Sequence, residues 1–283
     1  MQPKQDVRPS PIAGQWYPAD PKRLTDRIDE YIRAAHLPAL EGQIIALMVP
    51  HAGHTYSGPV AGYAYAAAQG LAPEVVAVIS PMHYPYPQPL LTSAHTAYGT
   101  PLGIVDIDQD LVKELDVALH EVLGYGLSYV KHDPEHSLEI ELPFLQHIFG
   151  NAFRLLPVMV REQDLHVVRV LGQALAKTLQ GKKALLVAST DLSHFYTQED
   201  ANALDAELLR RVEAFDPEAV LNAEEEGKGF ACGRGALAAV LFAAKELGAD
   251  RVKVLNHATS GDVTGDFSRV VGYGAAVVTR PDG

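Results

Sequence analysis

Apolar positions along the chain fall into short, nearly unbroken runs at residues 44–49, 75–79, 155–160, 184–188, 252–255 and 270–278. Four to eight consecutive apolar residues are what a strand covered on both faces requires. The stretches between these runs carry a different period. Over Leu165–Leu179, Leu165, Val168, Leu171, Leu175 and Leu179 recur at steps of three and four, which predicts an amphipathic helix. Residues 59–69, 201–212 and 233–247 read the same way. Strands alternating with helices predict an α/β fold with a mostly parallel central sheet flanked by helices. In residues 133–149 the stripe Leu138, Leu142, Leu145 and Phe149 is interrupted by Pro143, so a kinked helix is expected. Residues 81–101 hold prolines at 81, 85, 87, 89 and 101 and no amphipathic period, the pattern of a long connecting loop.

Composition narrows the function. The 283 residues carry 23 Lys+Arg against 35 Asp+Glu, a formal charge of −12, which excludes duplex nucleic acid as a natural main partner. An apolar share of 47% is enough for a packed core, and one domain spanning 1–283 is the expectation. The single cysteine, Cys232, forbids an internal disulfide. No run approaches the ~20 apolar residues of a membrane span. A cytoplasmic location is expected. With 12 histidines, the composition leans towards imidazole chemistry.

Three predicted strands each run into a histidine among small residues: PHAGHTYSG at 50–58, SPMHYP at 80–85 and STDLSHF at 189–195. In an open α/β sheet the carboxyl ends of parallel strands share one edge, where ligands bind, so His51, His83 and His194 can converge. Three protein ligands with one position open suit a catalytic metal. Cys232, in FACGRGAL before the helix from Gly233, reads either as a soft ligand with its thiol acidified by the helix dipole or as a small buried apolar residue. Asp191, three residues before His194, either orients that imidazole or caps a turn. His54, Tyr56 and Arg234 are candidates for substrate contact. His132 and His136 lie four apart, a spacing that can bind metal, but Asp133, Pro134 and Glu135 beside them make a helix start the simpler reading. Glu139 and Glu141 fall on different helical faces, so at most one would point into a site. His257 and SGDVTGD at 260–266 read as a turn first and a substrate loop second. The glycines of 233–238 match a dinucleotide pattern only formally, because they follow a charged turn and not a strand.

PHAGHTYSG, EHSLEIELPFL, STDLSH, ACGRG and SGDVTGD, in this order between Arg8 and Val278, resemble the Memo-like family, named after a mediator of receptor-driven cell motility. The resemblance implies a single domain similar to class III extradiol (LigB-like) nonhaem iron dioxygenases, with its pocket at one end of the sheet. It implies pocket roles for His51, His83, His194, Asp191 and Cys232, and Fe(II) as the metal, with copper or zinc as substitutes. It also implies pathway companions, an AMMECR1-like protein and a radical-SAM protein. Two positions depart from the pattern. Cys232 stands where extradiol enzymes place a carboxylate, and thiolate beside iron and oxygen is open to oxidation. Met82 replaces an asparagine before His83. Two functions follow as expectations. One is a metal-dependent redox enzyme with His51, His83 and Cys232 on the metal and His194 as third ligand or acid/base. The alternative is a non-catalytic peptide or phosphopeptide binder using the same pocket, with Arg234 pairing an anion.

Overall fold

The computed structural model describes residues 5–282. Its strands are β1 (Val7–Arg8), β2 (Gln43–Val49), β3 (Val75–Pro81), β4 (Leu90–Ser93), β5 (Ala97–Thr100) and β6 (Gly103–Asp106), then β7 (Ser128–Val130), β8 (Arg154–Val160), β9 (Ala184–Ser189), β10 (His194–Tyr196), β11 (Arg251–Thr259) and β12 (Val270–Arg280). The helices are α1 (Pro21–Ala34), α2 (His54–Ala68), α3 (Gln109–Leu123), α4 (Leu142–Phe149) and α5 (Leu165–Leu179), then α6 (Gln198–Glu213), α7 (Pro217–Asn222), α8 (Arg234–Glu246) and α9 (Ser260–Thr264).

Four strands, in the order β2-β9-β3-β8, pair in parallel and form the centre of the main sheet. Their interior positions are almost wholly buried, as the continuous apolar runs predict. Antiparallel neighbours extend the sheet on both sides. β12 pairs with β2 and β11 with β12 on one side; β4 pairs with β8 on the other, and β7 runs parallel beyond it. A small separate sheet has the order β1-β5-β6. Helix α8 packs on β3 and β9 with α5 behind it, and α2 packs on β2, β11 and β12 with α1 behind it. The approach of α5 to α8 depends on Gly172, where a Cβ would lie 2.5 Å from the Cβ of Phe242.

Two expectations change. The proline-rich segment 81–101 is not all loop, since it contains β4 and β5. Each is four residues long, too short to show a period, and Pro89 and Pro101 lie just outside them, where a missing N–H costs no ladder bond. Residues 133–149 do not form one kinked helix. The chain is irregular to Leu138, makes a 3₁₀ turn at Glu139–Glu141, and enters α4 with Pro143 in the first turn. Proline is at home there, because that N–H has no partner within the helix.

The strand ends set the stage for chemistry. His51 lies two residues beyond β2, His83 two beyond β3 and Asp191 two beyond β9. All three therefore arrive at one edge of the sheet.

Candidate metal centre

His51, His83 and His136 each offer one ring nitrogen, and these atoms lie within 4.8 Å of one another. The ring centroids of His51 and His83 are 5.2 Å apart, and His136 stacks on His83 at 4.9 Å with an interplanar angle of 12°. Trp16 closes the far side of His136 at 4.1 Å. His51 is buried, whereas the His83 side chain remains 33% exposed, so the cluster opens to solvent on the His83 side.

Polar neighbours aim two of the rings. Glu135 Oε2 accepts the backbone N–H of His83 at 2.6 Å, and Glu135 Oε1 lies 3.0 Å from His83 Nδ1. The carboxylate also accepts the N–H groups of His136 and Ser137, both at 2.9 Å. These donors hold it well below the usual carboxylate range against the pull of burial, so it is an anion and takes the Nδ1 proton of His83 as a hydrogen bond. In the neutral imidazole this contact makes Nε2 of His83 the bare nitrogen. His51 Nδ1 meets the Ser189 hydroxyl at 2.9 Å. Burial, with the neighbouring imidazoles, pushes His51 well below its ordinary value, and burial lowers His136 to about 4. Both rings are neutral at neutral pH, the state a metal ligand needs.

The segment that carries Glu135 and His136 is anchored by Arg8. Its guanidinium donates to Asp133 Oδ1 and Oδ2 at 2.9 and 3.1 Å, to Glu139 Oε2 at 2.5 Å, and to the carbonyls of Asp133 and Glu135. Glu139 and Glu141 diverge as the spacing implied. Glu139 faces Arg8, Ser10 and Tyr17, while Glu141 faces Tyr65 and Ser189.

Cys232 joins the cluster's edge, with Sγ 3.2 Å from His51 Nε2. Its thiol is not acidified as the helix-dipole argument expected. Burial, and then the charge of Asp191, push it up, and Cys232 precedes the N-cap Gly233, outside the first turn of α8. Asp191 also departs from expectation. Its Oδ1 accepts the backbone N–H of His51 at 2.7 Å and that of Ala52 at 3.3 Å, so it orders the loop after β2 and does not orient His194. Burial raises this carboxyl to about 7. His194 instead donates from Nδ1 to the Leu192 carbonyl at 2.8 Å and packs edge-on against Phe195 and Phe230. It stands outside the three-histidine group.

The remaining candidates scatter. His54 turns into the core: Nε2 lies 3.0 Å from the Ile140 carbonyl, and the ring packs on Phe144 and Tyr17. It lines the core and not the cluster. Tyr56, in the first turn of α2, is exposed. Arg234 pairs with Glu224, so its charge is already matched within the chain. His257 contacts buried Asp205 at 2.8 Å, apart from the cluster.

His136, set aside on the sequence in favour of a helix start, belongs to the cluster, and Glu135, read only as part of that start, aims His83. Asp133 and Pro134 are a favourable N-cap and first helical residue, so the local sequence does point to a helix start. The segment is instead held irregular by Arg8, which bonds the Asp133 side chain and the carbonyls of Asp133 and Glu135 from a distant part of the chain.

A cluster of imidazoles at the carboxyl edge of a parallel sheet, in an α/β protein, defines a candidate metal-binding protein of the strand-end class. The family model described as Memo-like protein matches residues 8–277, and the chain belongs to that family. Among its relatives, a MEMO1 family protein of Nitrosopumilus maritimus is 35% identical over 273 residues, covering 95% of this chain and 98% of the relative. One from Methanopyrus kandleri is 36% identical over 279 residues, with 95% and 98% covered. The fold is similar to that of an uncharacterized Escherichia coli K12 protein, with a TM-score of 0.55, 13% identity, and coverage of 83% of this chain and 100% of that one. No helix among the described residues is long and apolar enough to cross a membrane.

Proposed function

We propose that this protein is a metal-dependent redox enzyme acting on a small substrate, with Fe(II) as its metal. The observation that carries this reading is the aimed set of imidazoles: His51, His83 and His136 within 4.8 Å, with Glu135 and Ser189 each occupied at a ring Nδ1. Such outer partners are what hold a metal-ligating histidine in one orientation. The donors fit iron, copper or zinc, since imidazole serves all three and a nearby thiol adds softness. The resemblance to extradiol dioxygenases favours iron. A bound metal would supply Lewis acidity and one-electron chemistry.

The chain's own groups divide the remaining tasks. His83, on the exposed side, marks where a substrate enters. Asp191, raised to about 7, is poised to hold or release a proton near neutrality. His194, lowered by burial and donating from Nδ1 to Leu192, presents an unprotonated Nε2 as a base. Cys232 lies close enough to His51 to join the donor set once its proton leaves. The AMMECR1-like and radical-SAM companions implied by the family resemblance are in keeping with redox work.

Elemental analysis of protein purified without chelator or added metal, followed by anaerobic titration with Fe(II), tests the reading. One metal per chain, lost in His51→Ala and His83→Ala, and oxygen uptake with a panel of phenols are expected. Failure to take up iron, copper or zinc would overturn it.

A further inference from the structure

Ser189 stands at the centre of a three-way contact. Its hydroxyl oxygen is 2.6 Å from the Ser137 carbonyl, 2.9 Å from Glu141 Oε1 and 2.9 Å from His51 Nδ1. All four residues are buried. A hydroxyl offers one proton and two lone pairs. The Ser137 carbonyl can only accept, and it lies at the shortest of the three distances, so the hydroxyl proton points there. Directed elsewhere, that proton would leave two oxygen lone pairs facing each other at 2.6 Å in a site away from water. Both lone pairs of Ser189 must then meet donors. One donor is the Nδ1–H of His51. The other can only be an O–H on Glu141.

The rest of the pocket agrees with this count. Glu141 Oε2 accepts from the Tyr65 hydroxyl at 2.6 Å, which leaves Oε1 as the protonated oxygen. Among the described residues Glu141 has no cationic partner within ion-pair distance, whereas Glu139, two residues earlier, meets Arg8. Burial raises Glu141 to about 8.

We infer that Glu141 is a carboxylic acid in the folded protein and that, through Ser189, it fixes His51 as the Nδ1–H tautomer with Nε2 bare towards Cys232. Glu141 is a positioning residue, because it reaches the cluster only by way of Ser189. That the bare Nε2 serves a metal rests on the function proposed above; the proton arrangement does not.

Neutron diffraction from deuterium-exchanged crystals of the wild-type, metal-free protein tests the arrangement without any substitution. Deuterons are expected on Glu141 Oε1 and His51 Nδ1, with the Ser189 deuteron directed at Ser137. In solution, the infrared difference between wild type and Glu141→Gln should show the C=O stretch of a protonated carboxylic acid. Metal titration adds the consequence: Ser189→Ala should lower affinity about 10- to 100-fold. Glu141→Leu should also weaken binding, and Glu141→Gln, which keeps an N–H donor in place, should restore it. A bare Glu141 in the neutron map, a deuteron on His51 Nε2, or no carboxylic-acid band would overturn the inference. A protein with both deuterons in place that binds no metal would defeat the proposed function and leave this arrangement standing.

Discussion

Glu135 grips His83 at two points, with one carboxylate oxygen 2.6 Å from its backbone N–H and the other 3.0 Å from its ring Nδ1. One buried side chain thus sets both where the histidine sits and which nitrogen it presents. Replacing Glu135 by Ala should lower metal affinity about 10- to 100-fold, in line with other outer partners of ligating histidines. Glu135→Gln should fall between, since an amide accepts fewer of the four N–H groups. Competition with a chromophoric chelator measures both, and unchanged affinity in Glu135→Ala would remove its orienting role.

His136 and His194 can be ranked. His136 supplies a nitrogen to the three-histidine group, while His194 is tied to the Leu192 carbonyl outside it. His136→Ala should abolish stoichiometric metal uptake, and His194→Ala should leave one metal per chain. Elemental analysis of the two variants decides between them, and the reverse order would return His194 to the ligand set.

Arg8 neutralises Asp133 and Glu139, with all three side chains at most 2% exposed. Arg8→Ala would strand two buried carboxylates, a loss on the order of 3–5 kcal/mol. Arg8→Lys should recover little, because an ammonium cannot match the paired bonds to Asp133. Urea denaturation at neutral pH measures the stability. Hydrogen exchange should also show residues 133–138 opening first in the variant.

His54 makes stability depend on pH. Burial lowers it to about 4 in the folded protein, with the Ile140 carbonyl opposing the shift, against 6.5 when free. As pH falls from about 6.5 to about 4 the unfolded chain therefore binds a proton that the folded chain refuses, and stability drops. His54→Gln should remove roughly 2–3 kcal/mol of that drop, the size of the shift. Buried Glu141, raised to about 8, acts in the opposite direction, since its stabilising contribution falls as pH rises from about 4.5 to about 8. Comparing urea midpoints of wild type and variant at both ends of the window isolates His54, and equal pH slopes would show that it titrates freely.

Much of the strand framework was legible because burial on both faces leaves an unbroken apolar run, as in 75–79 and 155–160. His51 and His83 were legible for a related reason: parallel strands end at a common edge, so residues just past their ends meet without further information. His136 was not legible in this way. It lies on an irregular segment with no period to read, and its place is set by Arg8, which bonds Asp133 across 125 positions of sequence. Asp191 shows the same limit. Its neighbour in the chain, His194, was the natural partner on spacing, yet its Oδ1 bonds the His51 backbone, 140 positions away.

The amino-acid order by itself determined the alternation of buried strands and amphipathic helices, and which strand ends would carry imidazole. These follow from local periodicity and from the hydrophobic effect, which act within a few residues. Only the tertiary structure decided which histidines share a cluster, which nitrogen each presents and where the buried protons sit. Those choices depend on directional hydrogen bonds between distant segments in a site shielded from water, where each donor must find an acceptor.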